Sequence, residues 1–317
     1  MHTLLRAGAV ALAAGATLLG GAVAAQAADD VTVTDGVAVT AGVTVTAGTL
    51  VFEPAEHGHT GHLSIKIHNG TDQPYDDGFT ITESLAVTFQ GAGRPCAFNY
   101  TPDHRRIAGC ALLEPLEPGA TLEVVADFRS PAKPQPFARR AVQAGTVEAG
   151  GAATEFSTLF RSTGGSIDDP RPYTPDTVGA LDVTAGDVTL TRQADGSFEG
   201  RVPFTVHNDG DAPHDYVLAD IALPGTVDEW PSLEPSWMCF SGTGLPVPPG
   251  GHGIQCLLEE GPLAEDQTYR GAWVLRAPAG TPAGVLGTGA TRALVRDPAE
   301  EQTDHANEAT FTITVAG

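Results

Sequence analysis

The chain has 317 residues and carries 39 Asp and Glu against 17 Lys and Arg, which gives a formal net charge of −22 at pH 7. A protein this acidic repels polyanions. The composition therefore argues against nucleic acid, anionic lipid and teichoic-acid-like polymers as partners.

The N-terminal segment predicts a secretory signal peptide over residues 1–27. Arg6 precedes a run of almost only Ala, Gly, Val and Leu, and Ala25-Gln26-Ala27 forms an A-x-A cleavage pattern. An uncleaved membrane anchor is the alternative, but the run is short for a span and rich in Ala and Gly. We expect a cleaved, exported protein that keeps no transmembrane segment.

Three similar hexapeptides follow one another, starting at Val31, Val37 and Val43 and ending in Gly36, Gly42 and Gly48. Three turns are too few for a stable β-helix. We predict that the last hexapeptide is the first strand of a domain. The preceding residues, 28–42, are interpreted as a Val/Thr/Gly leader that is either an added edge strand or flexible.

The remainder of the chain contains an internal repeat. Residues 61–69 recur as 200–208, and Cys110-Ala111-Leu112-Leu113-Glu114 recurs as Cys256-Leu257-Leu258-Glu259-Glu260. A period near 140 residues indicates duplication of a whole domain. We predict one domain over 43–163, a Pro/Gly/Asp linker over 164–178 and a second domain over 179–317.

Both copies show the hydrophobic pattern of half-buried strands. Leu63, Ile65 and Ile67 alternate with polar residues, and Val202, Phe204 and Val206 do the same. Turn residues separate such runs, and no long amphipathic helix pattern occurs outside the signal peptide. Many short strands with turn signals predict an all-β chain of two tandem β-sandwich domains.

Four cysteines are expected to form disulfide bonds, because an even number in an exported chain favours them. The repeat selects Cys96 with Cys110 and Cys239 with Cys256, each contributing about 3 kcal/mol in the chain-entropy model. Zinc ligation is the alternative, but the chain has no C-x-x-C motif and no suitably spaced histidines.

The second copy resembles the bacterial immunoglobulin-like "conserved repeat" domains of exported and surface proteins, a family of unknown function. The resemblance covers about residues 182–316 and rests on Phe204–Gly210, on Asp220–Gly225, on the spaced cysteines and on Asp297-Pro298 followed by Asn307–Thr310. It implies immunoglobulin-like sandwiches, a surface role and no catalytic residue. The first copy keeps the Asn and Cys positions but lacks the Leu-Pro-Gly turn.

Two groups of residues are candidate metal ligands, although we expect no metal or other cofactor. Imidazoles at His57, His59 and His62 suit zinc or copper, or else they lie on a solvated hairpin tip. A loop pattern H-N-x-x-D-x-P-x-D occurs twice and suits calcium, but turn chemistry explains it equally well. Its carboxylates are Asp72, Asp76, Asp211 and Asp215.

Trp230 and Trp237 are candidate ligand-binding residues, because exposed aromatic rings stack on sugars or bind peptides. The alternative is that one of them, Trp237 above all, covers the Cys239–Cys256 bridge. Trp273 lies in a predicted strand and is expected in the core.

The chain lacks the G-x-S-x-G, H-E-x-x-H and glycine-rich phosphate-loop motifs of common enzyme classes. The sequence therefore favours a non-enzymatic, monomeric binding or spacer protein, secreted or non-covalently associated with the cell envelope. Its partner would be an envelope or extracellular protein or glycan. The alternatives are a carbohydrate-binding module that uses Trp230 and Trp237 and, more remotely, an unrecognised hydrolase.

Overall fold

The computed structural model describes residues 42–84, 88–103, 105–228, 230–236, 238–258, 261–298 and 307–317. The predicted signal peptide, and the leader apart from Gly42, lie outside the described residues. All regular structure in the described ranges is β-strand. None of these residues belongs to a helix of the length and apolarity needed to cross a membrane.

The first half of the chain comprises the strands up to residue 173. They are β1 Val43–Ala47, β2 Leu50–Pro54, β3 His59–Asn69, β4 Phe79–Thr82, β5 Thr88–Gly91, β6 Cys96–Tyr100, β7 Arg106–Cys110, β8 Thr121–Ser130, β9 Arg139–Ala141, β10 Gly145–Ala149, β11 Ala152–Phe156, β12 Thr158–Phe160 and β13 Arg171–Tyr173. One sheet has the order β13-β9-β12-β2-β3-β8-β5, with β1 also paired to β3, and the facing sheet has the order β11-β10-β4-β7-β6.

The second half comprises the strands from residue 181 onward. They are β14 Leu181–Ala185, β15 Val188–Arg192, β16 Phe198–Asn208, β17 His214–Leu223, β18 Ser232–Glu234, β19 Met238–Ser241, β20 His252–Leu257, β21 Thr268–Ala277, β22 Gly284–Pro298 and β23 Glu308–Val315. They form one continuous path, β18-β21-β16-β15-β23-β22-β17-β20-β19, with β14 also paired to β16.

The two halves share their order of strand pairing. In the first half, β2 lies between β3, to which it is antiparallel, and β12, to which it is parallel. In the second half, β15 has the same two relations to β16 and β23. Likewise β4 pairs with β7 and β10, as β17 pairs with β20 and β22. The described chain is thus all-β, with its sheets in a sandwich-like arrangement.

Each half has its own apolar core, and the predicted alternation is confirmed on the long strands. Leu63, Ile65 and Ile67 of β3 are fully buried, as are Val202 and Val206 of β16. The buried apolar residues form one cluster within 43–173 and another within 181–315. Burial of these inward faces supplies the main driving force for folding each half.

Trp273 of β21 is fully buried in the second core, as predicted, and its indole Nε1 donates to Thr291 Oγ1 at 3.0 Å. Thr291 in turn donates to the backbone oxygen of Asp220 at 2.8 Å. The largest side chain of this core therefore also satisfies its polar group, as buried indoles require.

Disulfide bonds join directly opposite residues of neighbouring strands. Cys96 of β6 is bonded to Cys110 of β7, and Cys239 of β19 is bonded to Cys256 of β20. This is the within-half pairing expected from the repeat. β6 and β19 are edge strands among the described residues, and each bond fixes its edge strand to the neighbouring strand of the sheet.

Removing the first bond with the double substitution Cys96→Ser/Cys110→Ser is expected to lower the free energy of unfolding by about 3 kcal/mol, because the unfolded chain regains the entropy of an open loop. Urea unfolding followed by far-ultraviolet circular dichroism measures the change. Cys239→Ser/Cys256→Ser is the matched variant, since its loop is of similar length. Unfolding at the wild-type urea concentration in both variants would contradict the expectation.

The predicted linker, 164–178, contains part of the first half. Arg171–Tyr173 pairs with β9 in parallel, and the Tyr173 ring is buried in the first core, 5.0 Å between centroids from Phe160. The Pro/Gly/Asp composition that predicts a linker includes Pro172, which lies within β13. Pro172 is accommodated because β13 is the outermost strand of its sheet.

Candidate functional site at the junction of the two halves

The loop pattern found twice in the sequence is organised by its asparagine. Asn69 is buried, and its side-chain amide donates to the backbone oxygens of Gln73 and Leu116 at 2.8 and 2.7 Å. Asn208 is equally buried and donates to the backbone oxygen of Leu263 at 2.8 Å. In both halves this asparagine ties the end of a long strand to a distant loop, so turn chemistry accounts for the repeated pattern.

The acidic residues of the pattern do not assemble as a calcium site. Asp72 and Asp76 are exposed, whereas Asp211 and Asp215 contact residues of the first half. Among the described residues, no three or more His, Cys, Asp or Glu are placed to hold a metal ion. Of the four carboxylates predicted as calcium ligands, two therefore face solvent and two lie at the junction of the halves.

Asp215 makes the first contact of this junction, with Arg106 of β7. The Arg106 side chain is 4% exposed, and its Nη2 donates to Asp215 Oδ1 at 2.7 Å while its Nη1 donates to the backbone oxygen of Phe89 at 3.1 Å. Because both partners are largely removed from water, this ion pair is a tighter constraint than a surface pair.

A second carboxyl group, that of Glu83, lies in the field of Arg106. Burial raises the pKa of Glu83 to about 8, against the opposing effects of the Arg106 charge and of a hydrogen bond from the Phe89 amide. Burial thus opposes ionisation of Glu83, whereas the Asp215 carboxylate is bonded directly to the Arg106 guanidinium. The charge of a first-half residue is thus neutralised by the second half.

Tyr173 makes the second junction contact, with Asp211. Its hydroxyl donates to Asp211 Oδ2 at 2.6 Å, and the Asp176 amide donates to Asp211 Oδ1 at 2.7 Å. Burial, together with the nearby Asp211 carboxylate, holds the pKa of Tyr173 well above its usual range. The phenol therefore remains a donor, and it links the first core to the repeated loop of the second half.

A third contact joins the loop after β8 to the loop before β21. The Glu265 amide donates to the Pro131 backbone oxygen at 2.7 Å, and the Lys133 amide donates to Glu265 Oε2 at 2.7 Å. Lys133 and Asp266 add an exposed ion pair. Three separate contacts fix the halves against each other more firmly than any one of them alone.

A cleft of about 550 Å³ opens beside the Arg106–Asp215 pair. The first half lines it with Phe89, Gln90, Phe98, Arg106 and Arg129, and the second half lines it with Asp215, Tyr216 and Gly261. A second cleft of about 560 Å³ lies on the facing sheet of the first half, and glycine and alanine backbone forms much of its wall. The junction cleft, unlike the second cleft, is lined by both aromatic and arginine side chains.

The three candidate histidines do not converge. His57 is exposed in the turn before β3, His59 is buried in the core, and His62 points to solvent and contacts Asp127 at 2.6 Å. His59 Nδ1 contacts the Ala132 backbone oxygen at 2.8 Å, and its ring lies edge-on to Phe160. The zinc or copper hypothesis is not supported by this arrangement, because successive positions of the strand face opposite sides.

The burial of His59 leads us to expect that the protein loses stability in acid. Burial, reinforced by Arg139, lowers the pKa of His59 from 6.5 to about 4. The His59 imidazole is harder to protonate in the folded protein than in the unfolded chain. The free energy of unfolding is therefore highest above pH 6.5 and falls by up to about 3 kcal/mol as the pH drops from 6.5 towards 4. His214, whose pKa burial also lowers, acts in the same direction.

The variant His59→Phe is expected to lose less stability than wild type between pH 7 and pH 4.5, measured by urea unfolding at both values. His62→Gln is the matched control, because His62 is on the same strand but exposed, and it should keep the wild-type difference. Equal pH dependence in wild type and His59→Phe would show that this imidazole is not responsible.

The predicted aromatic site is only partly described. The Trp230 side chain is 65% exposed, and Met238 and Phe240 on β19 are exposed nearby in sequence. Trp237 lies outside the described residues. The exposed Trp230 ring is thus accessible to a ligand, which the ligand-binding interpretation of this residue requires.

Sequence reasoning missed Arg106 and Tyr173, which bond to the second half, and Phe98, which lines the cleft beside Arg106. None lies in the internal repeat motifs. One signal was present: Asp211 and Asp215 recur at the positions of Asp72 and Asp76, and a carboxylate retained in both copies invites a search for a cationic or phenolic partner.

Comparisons with known proteins give no functional assignment. No protein-family model matches the chain, and no curated protein matches it. Among solved structures, 85% of the chain aligns with 31% of red sea bream transglutaminase at 11% identity and a TM-score of 0.23. Similarly, 87% aligns with all of a protein of unknown function from Porphyromonas gingivalis W83, at 9% identity and a TM-score of 0.21. The chain spans about a third of the length of the transglutaminase.

Proposed function

We propose that this chain is a non-enzymatic extracellular binding or spacer protein, in which two immunoglobulin-like domains are held as one rigid body. The proposal depends on the observation that Asp211 and Asp215 bond across the junction. The second half employs both carboxylates to contact Tyr173 and Arg106 of the first half. A fixed junction of this kind suits a protein that must hold two surfaces at a constant separation.

An extracellular address is supported by the two disulfide bonds, which persist in oxidising compartments and are rare in reducing ones. The predicted signal peptide points the same way. The resemblance of the second copy to exported immunoglobulin-like repeats adds support for the domain type. All three lines lead to a secreted protein, or one associated non-covalently with the cell envelope.

Backbone ¹⁵N relaxation of the full mature chain tests the rigid junction. We expect one rotational correlation time for amides of both halves, because three contacts link them. As a control, Asp215→Asn combined with Tyr173→Phe should produce two distinct correlation times. Two correlation times in the wild type would refute the rigid body, and turnover in screens against esters, peptides and glycans would refute the non-enzymatic assignment.

A carbohydrate-binding role is the second candidate, favoured by the exposure of Trp230. An indole that is 65% exposed offers a flat apolar face to a sugar ring. A glycan array probed with wild type, Trp230→Ala and Trp237→Ala tests it. Loss of a glycan signal in Trp230→Ala would support the role, and absent or unchanged binding would remove it.

A further inference from the structure

The cleft at the junction brings together two kinds of recognition group, an exposed aromatic ring and arginine side chains. Its wall contains the Phe98 ring, which is 52% exposed, and the Arg106 and Arg129 guanidinium groups. Exposed large apolar side chains and unbalanced cations are individually ordinary. Their meeting in one concave site, in a chain of net charge −22, points to a ligand.

Phe98 is held in place although it is exposed. Its ring lies edge-on to the buried Phe89, with centroids 5.9 Å apart, and the Arg106 guanidinium lies 5.1 Å from its centroid. Arg106 is itself fixed by Asp215 and by the Phe89 backbone oxygen. A ring supported in this way loses little conformational freedom when a ligand stacks on it.

On the side of the cleft formed by the second half, the Tyr216 ring also has an arginine against it. The Arg296 guanidinium lies 5.2 Å from the Tyr216 ring centroid, and its Nη1 is 3.4 Å from the Tyr216 hydroxyl. Both halves therefore contribute an aromatic ring with an arginine against it. The cleft is consequently a property of the assembled junction rather than of either half.

The described residues that line the cleft carry one more positive than negative charge, from Arg106 and Arg129 against Asp215. Asp215 balances Arg106, as shown above, whereas Arg129 makes no ion pair within the described residues and lines the cleft on its exposed side. Arg296 likewise has no carboxylate partner in the described ranges. A guanidinium group pairs best with a carboxylate, in a bidentate geometry.

We propose that this cleft binds an acidic sugar residue, whose carboxylate pairs with Arg129 while its ring stacks on Phe98. The exposed Gln90 amide, on the same wall, is placed to bond hydroxyl groups. The overall negative field of the protein disfavours long polyanions, so the ligand is a short or terminal acidic saccharide. This inference rests on the proposed rigid junction, because the cleft requires both halves in place.

Isothermal titration calorimetry of the full mature chain with trigalacturonate tests the site, with neutral cellotriose as the comparison. We expect binding in the range of about 0.1 to 1 mM for trigalacturonate, weakened several-fold between low and high salt. Arg129→Gln and Phe98→Ala should each weaken it about tenfold or more. Both positions are solvent-accessible, and melting curves confirm that the variants fold.

Arg140→Gln is the matched control, since Arg140 is also exposed but lies outside the cleft lining, and it should bind like wild type. Trp230→Ala should also bind like wild type, which separates this site from the Trp230 candidate. The proposal is overturned by any of three results: no binding at several times this concentration, equal binding of cellotriose, or unchanged binding by Arg129→Gln.

Hexaglutamate serves as a second comparison. If it binds as tightly as trigalacturonate and with the same dependence on Arg129, the ligand class is a peptide and the sugar assignment is wrong. Relaxation measurements on the same samples separate the two proposals. A single correlation time with no binding overturns the cleft alone, whereas two correlation times overturn the rigid junction on which it rests.

Discussion

Replacing Arg106 with methionine is expected to lower the free energy of unfolding by about 3 kcal/mol, the range seen when one partner of a buried ion pair is removed. The side chain is 4% exposed and serves three groups: the Asp215 carboxylate, the Phe89 backbone oxygen and the Phe98 ring. Methionine keeps much of the volume but leaves Asp215 without its cation. Urea unfolding at pH 7 measures the loss.

Lys133→Met is the matched control for this substitution. It also removes a cation that pairs across the junction, but the Lys133–Asp266 pair is exposed on both sides, so solvent screens it and little change is expected. If Arg106→Met were no more damaging than Lys133→Met, burial would not be what gives the Arg106 contact its strength.

Arg106→Met is also expected to loosen the junction, which distinguishes it from an ordinary core lesion. Relaxation of the folded variant should show a larger difference in tumbling between the halves than in wild type. A variant that is destabilised yet keeps one correlation time would mean that Tyr173 and Glu265 suffice to hold the halves together.

Replacing Trp273 with alanine is expected to destabilise the second half by about 3 to 5 kcal/mol, as for other large aromatic residues removed from a core. The side chain is fully buried, and its loss also frees Thr291 Oγ1 from its donor. Because the two apolar clusters are separate, the lesion should leave the first core intact. Unfolding should therefore split into two transitions.

The distribution of tryptophan makes this splitting measurable. All three tryptophans, Trp230, Trp237 and Trp273, lie in the second half, so fluorescence reports that half, while circular dichroism reports both. In Trp273→Ala the remaining fluorescence should change in the earlier transition. Phe52→Ala, a fully buried residue of the first core, should reverse the order. Coincident transitions in both variants would mean that the halves unfold as one cooperative unit.

The strands were accessible from sequence because their signal is local. Alternation over Leu63–Ile67 and Val202–Val206 places one face inside whatever the surrounding chain does. The cysteine pairing followed from the repeat for a related reason: each pair occupies equivalent neighbouring strands. The all-β class and the within-half disulfide bonds thus needed no knowledge of distant contacts.

The junction was not accessible, because its contacts join residues far apart in the chain. Arg106 and Asp215 are 109 positions apart, and Tyr173 and Asp211 are 38 apart. The same limitation explains the metal hypotheses for His57, His59 and His62 and for the loop carboxylates. Residue type indicated what these groups could bind, but only the fold decides that His59 faces Phe160 while His62 faces Asp127.

Tyr173 determines where this protein can be divided. A fragment cut at the boundary suggested by the Pro- and Gly-rich stretch, after residue 163, would lack the ring that packs on Phe160 and lies 4.2 Å from the Arg139 guanidinium. That fragment would expose apolar surface and aggregate more readily than one that continues through residue 175. The N-terminal half therefore continues through Tyr173, past Pro170 and Pro172, which the sequence pattern assigns to a linker.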